Sequence, residues 1–99
     1  MIRTERDGRV ELITLNRPGR RNALDHETLL ELLSVQERLR SATESFGTRV
    51  VVLTGAAPAF CAGADLTGVE EGQFATDLGS VLRNFTTLPV PVVAAIDGP

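Results

Sequence analysis

Apolar and polar positions alternate along the chain in two distinct rhythms. Ile2 to Glu5 and Val10 to Leu15 are short runs of β type. Between them Arg6-Asp7-Gly8-Arg9 carries an Asp-Gly pair that suits a tight hairpin turn. Asn16-Arg17-Pro18-Gly19-Arg20-Arg21-Asn22 reads as a loop, marked by Pro, Gly and Asn and made basic by its arginines. The rhythm then becomes helical. Asp25 is placed to cap a helix running to about Ala42, because its carboxylate can accept a hydrogen bond from an unpaired first-turn amide. Leu29, Leu32, Leu33, Gln36 and Leu39 share one face of that helix, with Gln36 the polar exception.

Val50 to Thr54 is short and wholly apolar up to its threonine, which predicts a covered strand. Thr67 to Gln73 is weakly patterned and predicts a mobile segment. Phe74 to Leu88 predicts a second helix, with Phe74, Leu78, Val81, Leu82 and Phe85 on one side. Gly79 weakens it, and Pro89 and Pro91 end it. Val92 to Ile96 predicts another covered strand, closed by Asp97-Gly98-Pro99. "VVVLTG" and "VVAAIDG" repeat one design, a helix, a buried strand and a Gly-bearing loop. The whole predicts an α/β spiral in a single domain over residues 1–99.

The loop Ala57-Pro58-Ala59-Phe60-Cys61-Ala62-Gly63-Ala64-Asp65-Leu66 is unusually apolar for a loop. It lies at the carboxyl end of a predicted strand, where α/β folds place ligand sites. Gly63 can adopt positive φ or admit a close backbone. If a helix starts near Ala64, its first amides lack internal partners and favour negative charge. A small side chain at Ala64 leaves that N–H uncovered, and a wall of Ala57, Ala59, Phe60 and Ala62 would exclude water. Those are the parts of an oxyanion hole. The same residues also describe a loop that packs its alanines, with Gly63 as a turn residue, and the residues by themselves leave both readings open.

Composition narrows the function classes. The chain has 99 residues, 42% hydrophobic and 23% charged, as in ordinary globular domains. Ten basic and thirteen acidic residues give a net charge of −3, with no electrostatic footprint for nucleic acid. A single cysteine makes neither an internal disulfide nor a zinc site, which with the charged, span-free N-terminal stretch leads us to expect a cytoplasmic protein without signal peptide or membrane span. No metal-ligand cluster, P-loop or dinucleotide fingerprint is present in the sequence.

The ordered set "ITLNRPGRRNALD" (Ile13 to Asp25), "RVVVLTG" (Arg49 to Gly55), "AFCAGADL" (Ala59 to Leu66) and "PVPVVAAIDGP" (Pro89 to Pro99) resembles the N-terminal part of the enoyl-CoA hydratase/isomerase (crotonase) superfamily. The resemblance covers almost every residue. It implies a crotonase-like (ClpP/crotonase) spiral of β-β-α turns, here incomplete at the C-terminus. It implies an acyl-CoA thioester as substrate, coenzyme A entering as part of that substrate and no separate cofactor. The backbone N–H of Ala64 would be one of two amides holding the thioester oxygen as it becomes enolate-like. The Ala62 carbonyl would meet the adenine amino group, and Arg20, Arg21 and Ala23 would line the nucleotide; by themselves Arg20 and Arg21 equally describe an ordinary solvated turn. Gly63, Asp65 and Leu66 complete the implied substrate-binding set. The family's second oxyanion amide and its acidic proton-transfer groups lie beyond the segment matching Asp97-Gly98-Pro99, as do the helices that build its trimers, often paired into hexamers.

Local residues offer weak substitutes for that acid–base chemistry. Asp65 reads as a cap for helix amides, Glu70 and Glu71 as a solvated surface pair, and His26 as an exposed first-turn residue. Cys61 reads as a small buried hydrophobe and Asp97 as a turn residue. Three functions remain in view. The leading one is 2-enoyl-CoA hydration or double-bond isomerisation in fatty-acid metabolism by the longer protein. The second is a non-catalytic fragment that binds CoA at most and tends to aggregate through an open strand edge. The third is another reaction on the same scaffold, such as thioester hydrolysis, dehalogenation or carbon–carbon cleavage.

Overall fold

A computed structural model describes residues 1–45, 47–65 and 71–98, without the side chains of residues 42–45 and 71. Strands β1 (Ile2–Asp7) and β2 (Val10–Leu15) form the predicted hairpin. The turn is displaced by one residue from the Asp-Gly pair. Asp7 pairs with Val10, and Gly8, at φ +60°, takes the first central position of the turn, where glycine relieves the steric cost of positive φ. Helix α1 (His26–Ser45) leads to β3 (Val50–Gly55), and α2 (Glu71–Thr87) leads to β4 (Val92–Ala95). The sheet order is β1-β2-β3-β4, antiparallel at the hairpin and parallel in the other two pairings. Parallel neighbours need a crossover, and each helix supplies one.

Ile13 and Leu15 of β2 and Val51 of β3 are buried with Leu29, Leu32 and Leu39 of α1 and Phe74 and Val81 of α2 in one core. Both helices therefore cover the same face of the sheet. Gln36, the polar exception on α1, is buried with them. Its amide donates to the Val81 carbonyl at 2.8 Å and its oxygen accepts from Asn84 at 3.3 Å, so it ties the two helices together. A buried amide satisfied at both ends adds specificity to a packing that leucines alone would leave free to slide.

Three expectations need correction. Strands β3 and β4 are less covered than expected among the described residues. Val93 is 50% exposed and Ile96 66% exposed, and Val10, Leu12 and Val52 line an open hollow of about 400 Å³ on the face away from the helices. Their apolar character is real, but the described residues place helices on one face only. Leu82, expected on the buried side of α2, is exposed, because α2 turns its Phe74–Val81 edge to the core. The expected mobile segment lies mostly outside the described residues, and its last part, Glu71–Gln73, is the first turn of α2.

Candidate functional site

The site forms where two loops meet at the carboxyl ends of β2 and β3. The loop after β2 contains a 3-10 turn, Pro18–Arg20, and then two residues at positive φ, Arg21 (52°) and Asn22 (59°). Asparagine is among the side chains that tolerate this region best. Here the backbone turn aims the Asn22 side chain inward. It is 1% exposed and uses both amide hydrogens, donating to the carbonyls of Ala56 at 2.8 Å and Ala59 at 2.7 Å. Its oxygen accepts the Arg17 amide at 2.8 Å. The sequence marked Asn22 only as a loop residue; Ala56 and Ala59 lie far along the chain, and no local pattern announces them.

The loop after β3 doubles back at once. A Cβ at Gly55 would collide with the carbonyl oxygens of Ala59 and Phe60, so only glycine permits that approach. Ala59 is buried beneath Asn22, and Phe60 and Cys61 line an apolar cavity of about 180 Å³ with Leu24, Leu78 and Phe85. Cys61 is a free, partly buried thiol, in keeping with its reading as a small hydrophobe. Gly63 adopts φ +109°, with open space where a Cβ would stand; its glycine serves conformation rather than clearance.

Ala64 pairs with Leu24 in an isolated parallel bridge. The Leu24 amide donates to the Gly63 carbonyl at 2.8 Å, and the Asp65 amide donates to the Leu24 carbonyl at 2.7 Å. The Ala62 amide donates to the Arg21 carbonyl at 3.0 Å. In this bridge Leu24 bonds through both its groups to the residues flanking Ala64, so the groups of Ala64 itself face away. The Ala64 N–H is thus directed away from Leu24, and among the described residues it has no backbone partner. A bridge fixes this amide, where the sequence suggested a helix start; the described part of α2 begins at Glu71.

The expected dry wall is only partly present. Ala59 is buried and Phe60 half-buried, but Ala57, Ala62, Gly63 and Ala64 are exposed. The described residues hold the amide from below and leave it open above.

Charge gathers on the same spot. The Asp65 carboxylate lies 3.0 Å from Arg20 and 3.6 Å from Arg17. Arg20, expected along the nucleotide, is engaged with Asp65, and its side chain is exposed. Arg21 is exposed, and Ala23 is partly buried, its carbonyl accepting from Arg17. The amides that Asp65 was expected to cap, and the expected substrate contact Leu66, lie outside the described residues, as does Glu70; Glu71 is described by its backbone alone. Asp25 caps α1 as its sequence position predicts, accepting the Thr28 amide at 2.8 Å and the Thr28 hydroxyl at 2.6 Å. Burial raises the Asp25 carboxyl, but those two hydrogen bonds and the nearby Arg17 outweigh it, so its pKa falls below the ordinary 3.8.

His26 departs from its expected exposure. Its Nε2 lies 2.6 Å from Asp77 Oδ2, joining the start of α1 to α2. Among the described residues no group of His, Cys, Asp and Glu is arranged to hold a metal ion, and no helix is long and apolar enough to cross a membrane.

The Enoyl-CoA hydratase/isomerase family model matches residues 5–99. A probable enoyl-CoA hydratase of Mycobacterium leprae is 42% identical over 100 residues, covering 97% of this chain and 39% of that protein. An enoyl-CoA isomerase/hydratase of Zymoseptoria tritici is 38% identical over 96 residues, covering 90% of this chain and 31% of that protein. The crystal structure of an enoyl-CoA hydratase from Bacillus anthracis superimposes with a TM-score of 0.84 at 36% identity, covering 98% of this chain and 40% of that one. This chain therefore spans 31–40% of the length of these relatives.

Proposed function

The chain belongs to the enoyl-CoA hydratase/isomerase family and has its crotonase fold, and from that premise we propose that it carries one side of an acyl-CoA thioester site. The Ala64 amide is one of the two donors to the thioester oxygen. When water adds to the β-carbon of a 2-enoyl-CoA, or a proton leaves the α-carbon during isomerisation, negative charge moves onto that oxygen. A donor fixed in advance stabilises this charge without having to reorganise, and one such donor is worth about 3 kcal/mol of barrier. Arg20, Arg21 and Ala23 run beside the CoA nucleotide, and the Ala62 carbonyl accepts from the adenine amino group. Gly63 and Asp65, with Leu66, border the thioester.

The observation that carries the reading is the outward-facing Ala64 N–H, held by hydrogen bonds on both of its neighbours. Its exposure supports a division of labour. The longer protein supplies the cover, the second oxyanion donor and the groups that move protons, and it assembles as a trimer or a pair of trimers. By itself, this chain binds the nucleotide and offers the amide without completing turnover.

Calorimetric titration with butyryl-CoA tests the binding side. Removing one guanidinium from the phosphates, by Arg20→Gln or Arg21→Gln, weakens binding by about tenfold, the scale of one charge-assisted hydrogen bond. It also lowers the sensitivity of binding to salt. Unchanged affinity in both variants removes these arginines from the site.

A further inference from the structure

Arg17 has no place in the substrate contacts proposed above. Its side chain is nonetheless only 16% exposed and lies between the two loops that form them. Guanidinium Nη1 donates to the Ala23 carbonyl at 2.6 Å. Nη2 lies 3.4 Å from Asp25 Oδ2 and 3.6 Å from Asp65 Oδ2. Ala23 and Asp25 flank Leu24, and Asp65 follows Ala64. One planar group therefore holds the residues on both sides of Leu24 and the residue next to Ala64, bracketing the bridge that aims the Ala64 amide. The backbone of Arg17 is itself held, its N–H donating to Asn22 Oδ1 at 2.8 Å and its carbonyl accepting the Asn22 amide at 2.9 Å.

We propose that Arg17 is a positioning residue for the Ala64 amide, locking the Leu24–Ala64 bridge and neutralising the Asp65 carboxylate beside it. The consequence for chemistry rests on the acyl-CoA reading; the bridge itself does not. The charge argument is specific. The Asp65 side chain is 9% exposed, so its negative charge is poorly screened and sits one residue from an amide meant to receive a developing anion. Left uncompensated, it opposes that anion. Arg20 is the nearer partner at 3.0 Å, but it is largely exposed and, under the proposed function, shared with a phosphate. Arg17 faces the loops and lies 3.6 Å from the same oxygen. Its fork geometry matters, because a carbonyl and two carboxylates are engaged through two different nitrogens, which a single ammonium cannot reproduce.

The test is amide hydrogen exchange by NMR on the unliganded protein, comparing wild type, Arg17→Gln and Arg17→Lys. The amides of Leu24 and Asp65, which donate across the bridge, report its opening; the strand amides of β2 and β3 report the fold. Arg17→Gln speeds exchange at Leu24 and Asp65 by about tenfold while the strand amides hold their rates. Arg17→Lys, which restores charge without the fork, falls between the two. Wild-type rates at Leu24 and Asp65 in Arg17→Gln overturn the proposal. So does an equal acceleration of bridge and strand amides, which makes Arg17 a general fold residue. No acyl-CoA is present, so failure here leaves the thioester reading standing, and failure of thioester binding leaves this result standing.

Discussion

Asn22 does at the level of a single residue what neither loop does alone. Its positive φ swings the side chain under the β3 loop, and its three hydrogen bonds join Arg17, Ala56 and Ala59. Truncation to alanine keeps the strained backbone and strands the buried Ala59 carbonyl, the half-buried Ala56 carbonyl and the Arg17 amide. Asn22→Ala is expected to cost about 2–3 kcal/mol, read as a lower urea midpoint at unchanged slope. A loss under half that size means that water replaces the side chain. Residues whose role depends on local conformation were legible in advance. Gly63 was read as taking positive φ or admitting a close backbone, of which the structure shows the first, and Asp25 as a cap, because each follows from the residue type and its immediate neighbours. The hold of Asn22 on Ala56 and Ala59 and of Arg17 on Asp65 was not legible, because those partners are brought by the approach of two loops.

At the scale of elements, α1 is the best specified. Its apolar spacing, its cap and even its polar exception at Gln36 follow the sequence, and each meets a partner. The cap carries a pH signature. The folded pKa of Asp25 lies below its unfolded value, so its stabilisation is present in full above that unfolded value, near 3.8, and is lost as pH falls through the folded pKa. Asp25→Ala is expected to cost about 1 kcal/mol at neutral pH and to flatten this acid loss, as followed by thermal melts across pH 2 to 7. A variant that melts like wild type at neutral pH contradicts the cap. The strands were legible as strands but not in their exposure. An apolar run such as Val92 to Ile96 signals a strand suited to being covered. It does not say whether the cover is near in sequence, and here β4 is largely open among the described residues.

For the whole molecule, the order of elements and the α/β spiral were readable from the repeated helix–strand–loop design, and the structure adds that its crossovers join parallel strands. That design brings successive loops to one edge of the sheet. The end of β4 joins them there, since a Cβ at Gly98 would lie 2.8 Å from the Pro58 carbonyl oxygen. The site is thus assembled by topology, at the edge where parallel strands deliver their carboxyl ends. What the sequence missed is how the amide is held. A helix start was the nearest local explanation for an unpartnered N–H, and a pairing between residues 24 and 64 is a tertiary event.

The most direct test of the account follows the Ala64 amide itself, in isotopically labelled protein titrated with butyryl-CoA and, separately, with CoA alone. The account predicts that the Ala64 proton resonance moves downfield and saturates with the thioester as it gains an acceptor. CoA alone moves resonances of the Arg20–Ala23 loop and leaves Ala64 in place. An Ala64 resonance that stays put while butyryl-CoA binds, or that moves equally with CoA alone, contradicts the claim that this N–H receives the thioester oxygen.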